Sequence, residues 1–353
     1  MVDWTPLELT VTKRPMAFAG TAIRDRLGKA YMPDEPIGET WEVSDVDGHV
    51  AAVASGLLQG RSLRELTEQY PDDLVGRGWR GPHFPLLTKF IDGRGMLPVH
   101  LHADDEAARV LEGQPNGKTE AWHILDAAPG ATALVGLRDG VSADEVRDAL
   151  FTCDWDRVMR RLPVRAGETI YVPGGTLHSF GPDTLIYEIE QTSDIGQHAM
   201  TWAMEDGSPV PPDEREANID MLLRELRPEP KPNFTPPLMI RVDEDVDPQF
   251  CTAGPYFALE RWRAGRGAAI RRSFDHAMIL SNVGAPATVR SGGWSVVLGR
   301  AASLLLPAAL GGVAVEGPAD VLFGHLPDLE RDVRRPLADA GYAPALIAAL
   351  GEI

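Results

Sequence analysis

Between Pro98 and Ser179 the chain repeats histidines and a carboxylate at spacings that suit a metal held inside a β-barrel. In Pro98-Val99-His100-Leu101-His102 the alternation of a strand sends His100 and His102 to one face and Val99 and Leu101 to the other. Two imidazoles on one inward face need partners or a metal to offset their burial. Lys118 to Leu125 reads as a second strand and carries Glu120, and Gly167 to His178 reads as strand, tight turn and strand, which brings in His178. His100, His102, Glu120 and His178 would make a mixed nitrogen and oxygen site that suits Zn²⁺, Fe²⁺, Mn²⁺ or Ni²⁺ alike. Glu106 competes with Glu120 for the carboxylate position. The run Ala103 to Leu111 reads as a helix with its acidic residues where the dipole favours them, which gives Glu106 a capping role and leaves Glu120 as the preferred ligand.

Several elements must position these groups. Gly38 to Ser44 alternates as a strand that presents Glu39 and Trp41 to one face. Phe84 to Asp92 is apolar enough for a central strand, with Lys89 as its cation, a candidate contact for an anionic ligand. Ser62 precedes a helical run with Glu65 three residues on, the pattern of a capping box, and Ser142 with Glu145 repeats it. Trp155 to Leu162 also reads as helix. Thr184 to Gln191 alternates as a long strand whose end, Thr192-Ser193-Asp194, delivers polar groups to the barrel mouth.

A Pro-rich passage holding Pro211, Pro212, Pro228, Pro230, Pro232, Pro236 and Pro237 brackets a helix from about Asp213 to Leu226. It divides a metal-binding unit (residues 1–210) from a second β unit (236–353), with 211–235 as a helical linker. The expected fold is mainly β, two jelly-roll barrels with a few packing helices. Runs at Tyr256–Arg263, Ala277–Asn282, Trp294–Leu298, Ser303–Leu306 and Val321–Phe323 supply strands to the second. Ile170 to His178 aligns with Leu304 to Gly312, strand and proline in register, and Gly312 stands where the first copy has His178. The second unit is therefore expected to be metal-free and His276 to be structural.

With 34 Lys and Arg against 52 Asp and Glu, the formal charge of −18 argues against a nucleic-acid or anionic-membrane surface. The chain starts with no basic and apolar leader, and no run of about 18 apolar residues could span a bilayer, so a cytoplasmic protein is expected. Cys153 and Cys251 lie far apart in no metal-binding or redox spacing, and no disulfide is expected.

Gly38 to Ser44, Ser62 to Leu66, Phe84 to Asp92, His102 to Glu106, Gly117 to Glu120, Val172 to His178 and Glu190 to Asp194 together resemble the class I mannose-6-phosphate isomerases, short bacterial type, of the cupin superfamily. The resemblance implies a zinc-dependent aldose-ketose isomerase with His102, Glu120 and His178 as ligands. The fourth ligand position, typically glutamine in that family, is His100 here. Where members carry an arginine near the reacting carbons, this chain has His198, which lacks the bidentate fork. Phe18-Ala19-Gly20 replaces a Trp-Gly-Gly, and Ala103 replaces a proline.

Aldose-ketose interconversion moves a proton between neighbouring carbons through a cis-enediol, and a metal on the substrate's oxygens would stabilise the developing charge. Lys118, two residues from Glu120 on the same strand face, is the expected base or proton shuttle, its pKa lowered beside a cation. Asp194 and His198 are further candidates for moving protons or orienting the sugar. Glu39, Trp41, Lys89 and Arg94 are candidate substrate contacts, the cations serving a phosphorylated sugar. The competing reading is a cupin isomerase, epimerase or oxygenase for another small molecule, and a non-catalytic sugar-binding protein is a third.

Overall fold

The computed structural model describes residues 2–228, 233–235, 237–240 and 245–353; Pro230, Pro232 and Pro236 of the Pro-rich passage lie outside them. Four antiparallel sheets form two sandwiches. In spatial order the first large sheet is Thr12–Arg14, Glu39–Val43, Leu86–Gly93, Thr184–Gln191, Glu120–Ala127, Thr169–Val172 and Asn233–Thr235. Its smaller partner is Gln197–His198, His100–Leu101, His178–Phe180, Thr132–Leu137 and Met159–Pro163. The second sandwich pairs Leu238–Met239, Val246–Ala253, Ala258–Ala264, Ala319–His325, Met278–Asn282 and Ser303–Leu306 with Ala269–Ser273, Gly312–Glu316, Ala287–Ser291 and Trp294–Leu298. These are jelly-roll barrels of the cupin type, as the strand patterns lead one to expect.

Period-two alternation explains how the large sheets are used. On Thr184–Gln191, Ile186 joins Trp122, Ile124, Ile170 and Phe180 inside the first barrel. Its neighbours Leu185, Tyr187 and Ile189 face the other way, into a core shared with Leu259, Ile279 and Leu322 of the second barrel. With both faces covered, the whole strand is buried. The barrels touch closely enough that a Cβ on Gly324 would sit 2.7 Å from Ile189 Cδ1, so a side chain there would have to displace the end of Ile189. A helix, Pro212–Glu225, lays Ile219 and Leu222 on Val99 and Leu101, backing the strand that carries His100.

The repeat seen in the sequence holds in the register. Val172 pairs with Glu120 and Leu306 with Met278; His178 pairs with His100 and Gly312 with Ser273. Both capping boxes form, at Ser62 with Glu65 and at Ser142 with Glu145. Trp155–Val158 alone is helical in the stretch expected to be helix through Leu162, because Met159–Pro163 instead pairs with Thr132–Leu137 at the sheet edge. A ladder partner outweighs weak local helical spacing. Asn233–Thr235, inside the expected linker, pairs with Thr169–Val172 of the first large sheet. Val246–Ala253, Ala269–Ser273 and Ala287–Ser291 were not legible as strands, since Pro248, Arg271, Arg272 and Arg290 interrupt their apolar runs, and Gly312–Glu316 is short and glycine-led. No helix among the described residues is long and apolar enough to cross a membrane.

Candidate metal centre and active site

His100 lies between two cross-strand neighbours, His198 on one side and His178 on the other. His102 follows two residues later on the same face, and the ring centroids of the three ligand candidates lie 4.1 to 5.0 Å apart. Each Nδ1 meets a backbone carbonyl: His100 that of Pro98 (2.8 Å), His102 that of Ile195 (2.6 Å), His178 that of Thr176 (2.7 Å). A carbonyl only accepts, so each Nδ1 carries a proton and each neutral ring keeps its lone pair on Nε2. The Nε2 atoms of His100 and His178 then face each other at 2.9 Å, two acceptors with nothing between them to share. Glu120 completes the group, Oε1 lying 3.2 Å from His178 Nε2 and Oε2 3.3 Å from His102 Nε2. Burial is the leading cause that lowers the pKa of all three imidazoles and keeps them in the neutral form that ligates metals.

The backbone is fitted to this arrangement. At Gly196 a Cβ would stand 2.8 Å from His102 Nδ1, so glycine lets the Ile195 carbonyl reach that ring. Glu120 Oε1 accepts from Trp122 Nε1 at 2.8 Å, whereas the buried Oε2 has no hydrogen bond. An unsatisfied carboxylate oxygen beside three converging lone pairs is the pattern a divalent cation would complete. The charges agree. Glu39, Glu120, Glu188 and Glu190 are buried here with Lys89 and Lys118, an excess of two negative charges. Glu190 shows the consequence: burial, then Glu188, pushes its pKa well above the usual carboxylate range.

Lys118 Nζ lies 3.1 Å from His102 Nε2, 3.2 Å from Glu190 Oε2 and 3.5 Å from Glu120 Oε2. The lowering expected of its pKa is an effect of a bound cation, and the protein groups by themselves act the other way. Burial disfavours the ammonium, but Glu190, Glu120 and Glu188 outweigh it and the pKa is raised. Lys89, expected as a ligand contact, is held by Glu188 (3.1 Å) and Glu190 (2.8 Å) and lies over the Trp41 ring.

His100, His102, Lys118, Glu120, Glu39, Lys89, Asp194 and His198 line one cavity of about 190 Å³. Two expected contacts do not. Trp41 has no exposed surface, and its Nε1 donates to Glu39 Oε2 at 2.7 Å, so it supports the wall from behind. Arg94 is 72% exposed and turns toward Asp183, 3.6 Å away, because it lies past the strand end on the far side of the turn. Glu106 is exposed on the helical turn that Asp104 caps, which leaves Glu120 as the carboxylate at the centre. His198 lines the mouth, its buried Nδ1 without a partner and its pKa lowered by burial. Two further groups escaped the sequence reading. Arg14 brings a guanidinium to the mouth, ion-paired to Asp194 at 3.3 Å, yet no motif surrounds it. Glu188 and Glu190 face Lys89 and Lys118, and their spacing on one strand face was the available signal.

No protein-family model matches the chain. It is similar to the mannose-6-phosphate isomerase of Streptococcus mutans, 26% identical over 320 residues that cover 91% of this chain and 98% of that protein. A Bacillus subtilis mannose-6-phosphate isomerase is 27% identical over 323 residues, covering 91% and 99%. The crystal structure of the mannose 6-phosphate isomerase from Bacillus subtilis superposes with a TM-score of 0.81 at 26% identity, covering 91% of this chain and all of that one. The apo mannose 6-phosphate isomerase of Salmonella typhimurium, at 15% identity, shares the fold with a TM-score of 0.69. Along nearly the whole length of these relatives, and in its pair of cupin barrels, the chain is similar to mannose-6-phosphate isomerases.

Proposed function

We propose that the chain interconverts mannose 6-phosphate and fructose 6-phosphate, with catalysis in the first barrel (residues 1–210), a connecting segment at 211–235 and the second barrel (236–353) as its support. The observation that carries this reading is the convergence of three imidazole lone pairs and an unsatisfied Glu120 oxygen, with His100, His102, Glu120 and the buried Lys118 lining one cavity. His100, His102, Glu120 and His178 would hold a divalent metal, Zn²⁺ by the donor set. When bound, such an ion would polarise the sugar's carbonyl as a Lewis acid and, as a positive charge beside Lys118, favour that lysine's neutral form.

Lys118 Nζ is the group placed to take the proton from C2 and return it to C1, with Glu190 at 3.2 Å holding the amine in position between the two carbons. His198 Nδ1, buried and unpartnered, is free to bond a substrate hydroxyl. Arg14, the arginine among the lining residues, is assigned to the phosphate, with Asp194 orienting it until substrate arrives. Glu39 and Lys89 form the polar wall.

His100 and His198, in place of the glutamine and arginine of the resembled family, favour one second reading: a metal-dependent cupin isomerase, epimerase or oxygenase acting on a different sugar. A coupled assay that follows fructose 6-phosphate formed from mannose 6-phosphate decides between them. Activity lost with chelator and restored by Zn²⁺ supports the proposal. Metal-replete protein that leaves mannose 6-phosphate unchanged would refute it.

A further inference from the structure

The second barrel carries a group of its own at the matching place. His325 occupies the sheet position that Glu190 has in the first barrel: Glu190 is paired with Glu120 and Leu87, His325 with Met278 and Ala258. The side chain is fully buried, and its Nε2 lies 3.0 Å from Glu260 Oε1. Glu260 also receives Arg272 Nη2 at 2.6 Å and Trp262 Nε1 at 2.7 Å. A carboxylate held by a guanidinium accepts, so His325 donates from Nε2 and its lone pair is on Nδ1.

His276 repeats this logic from the opposite side. Its Nδ1 lies 2.9 Å from Asp275 Oδ1, and Asp275 is gripped by Arg331 at 2.8 and 3.1 Å, which makes it an acceptor too. The lone pair of His276 is therefore on Nε2. That atom faces His325 Nδ1 at 3.1 Å, the rings nearly stacked at 26°. Two acceptors at that distance repel unless something positive lies against both. An Asp332 carboxylate oxygen joins them, all three ligand atoms lying within 4.8 Å of one another. This carboxylate also accepts from Arg331 Nε at 2.7 Å and from the Asp328 amide at 2.8 Å, so it would reach the ion with its remaining lone pairs. Ligands on a tetrahedral ion with bonds of about 2.1 Å stand roughly 3.4 Å apart, near the 3.1 Å between the two imidazole nitrogens. Each imidazole is also backed by a carboxylate on its far nitrogen, as metal-bound histidines usually are.

We infer that His276 Nε2, His325 Nδ1 and an Asp332 carboxylate oxygen form a second divalent-metal site, of the zinc type, in the barrel expected to be metal-free. The site belongs to three separate pieces of chain. Asp332 lies on the C-terminal turn Leu329–Arg334, His325 ends a barrel strand, and His276 is bridged to Gly76 while the next amide, of Ala277, donates to the Val75 carbonyl at 2.7 Å. The ion pins the C-terminal helices and an N-terminal loop onto the second barrel. A cavity of about 520 Å³ that borders both His276 and Asp332 gives it a way in.

The full chain, stripped of metal and titrated with Zn²⁺, tests this. Wild type should take up two equivalents. His276→Ala, at a partly exposed position, should keep one equivalent and isomerase activity within about twofold, while the affinity for the second falls more than about 100-fold, beyond the loss from removing an outer hydrogen-bond partner. Asp332→Asn should weaken the same equivalent by about tenfold or more, a check should the histidine variant misfold. His178→Ala should still bind Co²⁺ with a visible band from the remaining site. A wild type that takes up a single equivalent would overturn the inference, as would a second equivalent untouched by both variants; His276 would then be an imidazolium donating to His325.

Discussion

The two barrels share one backbone frame and differ in a few inward positions. Where the first has His178, His100, Glu120 and Glu190, the second has Gly312, Ser273, Met278 and His325 at the same sheet positions. Strand alternation and ladder register are indifferent to these substitutions, since each is a single side chain projecting into the barrel. The frame is set by many apolar residues, the chemistry by a handful of polar ones. The first barrel gathers lysines and carboxylates around its histidines and leaves a cavity beside them. The second ties its histidines to carboxylates held by Arg272 and Arg331, a bracing arrangement rather than a reactive one.

The largest way to collapse the difference is to remove His178. His178→Ala should lose the metal of the first barrel and lower kcat/KM by at least about 10³-fold; metal analysis and the coupled assay check this. Lys118→Met comes next, with a fall in kcat of about 10²- to 10⁴-fold and metal content retained, the signature of a lost proton carrier rather than a lost ligand. Full turnover in that variant would remove Lys118 from the chemistry. Arg14→Ala should raise KM for the phosphorylated sugar about tenfold and spare kcat, as expected of a charged contact at a solvent-facing mouth, and steady-state kinetics would show it.

The smallest effect concerns the seam between the barrels. His123, in the first, accepts from Arg261 Nη1 of the second at 3.1 Å, and burial, then Arg261, lowers its pKa to about 3. Unfolding returns it to the ordinary value near 6.5, so between these values the unfolded chain binds a proton that the folded chain refuses. Stability should therefore fall as pH drops below about 6.5, by roughly 1 kcal/mol per pH unit. His123→Gln should flatten that slope in urea melts from pH 6.5 to 4, and an unchanged slope would clear His123 of the effect.

Much of this was legible in the chain. The His100-x-His102 pair, Glu120, His178 and the Pro-punctuated repeat have local signatures, because a strand's period and a tight turn are properties of short segments. Lys118 was legible as a neighbour of Glu120, but its contact with Glu190 was not, since Glu190 comes from a strand far along the sequence. Trp41 and Arg94 failed as contacts for a related reason: alternation assigns a face, and it cannot say whether another layer covers that face or where the strand ends.

The sequence by itself determined the barrels and the meeting of His100, His102, Glu120 and His178 in the first, because apolar alternation and side-chain spacing are written along the chain. Tertiary structure alone decided the partners of Lys89 and Lys118, the guanidinium of Arg14 at the mouth, and the meeting of His276, His325 and Asp332. Charges and lone pairs act across a few ångströms of space, and strands distant in sequence become neighbours only when the sheets close.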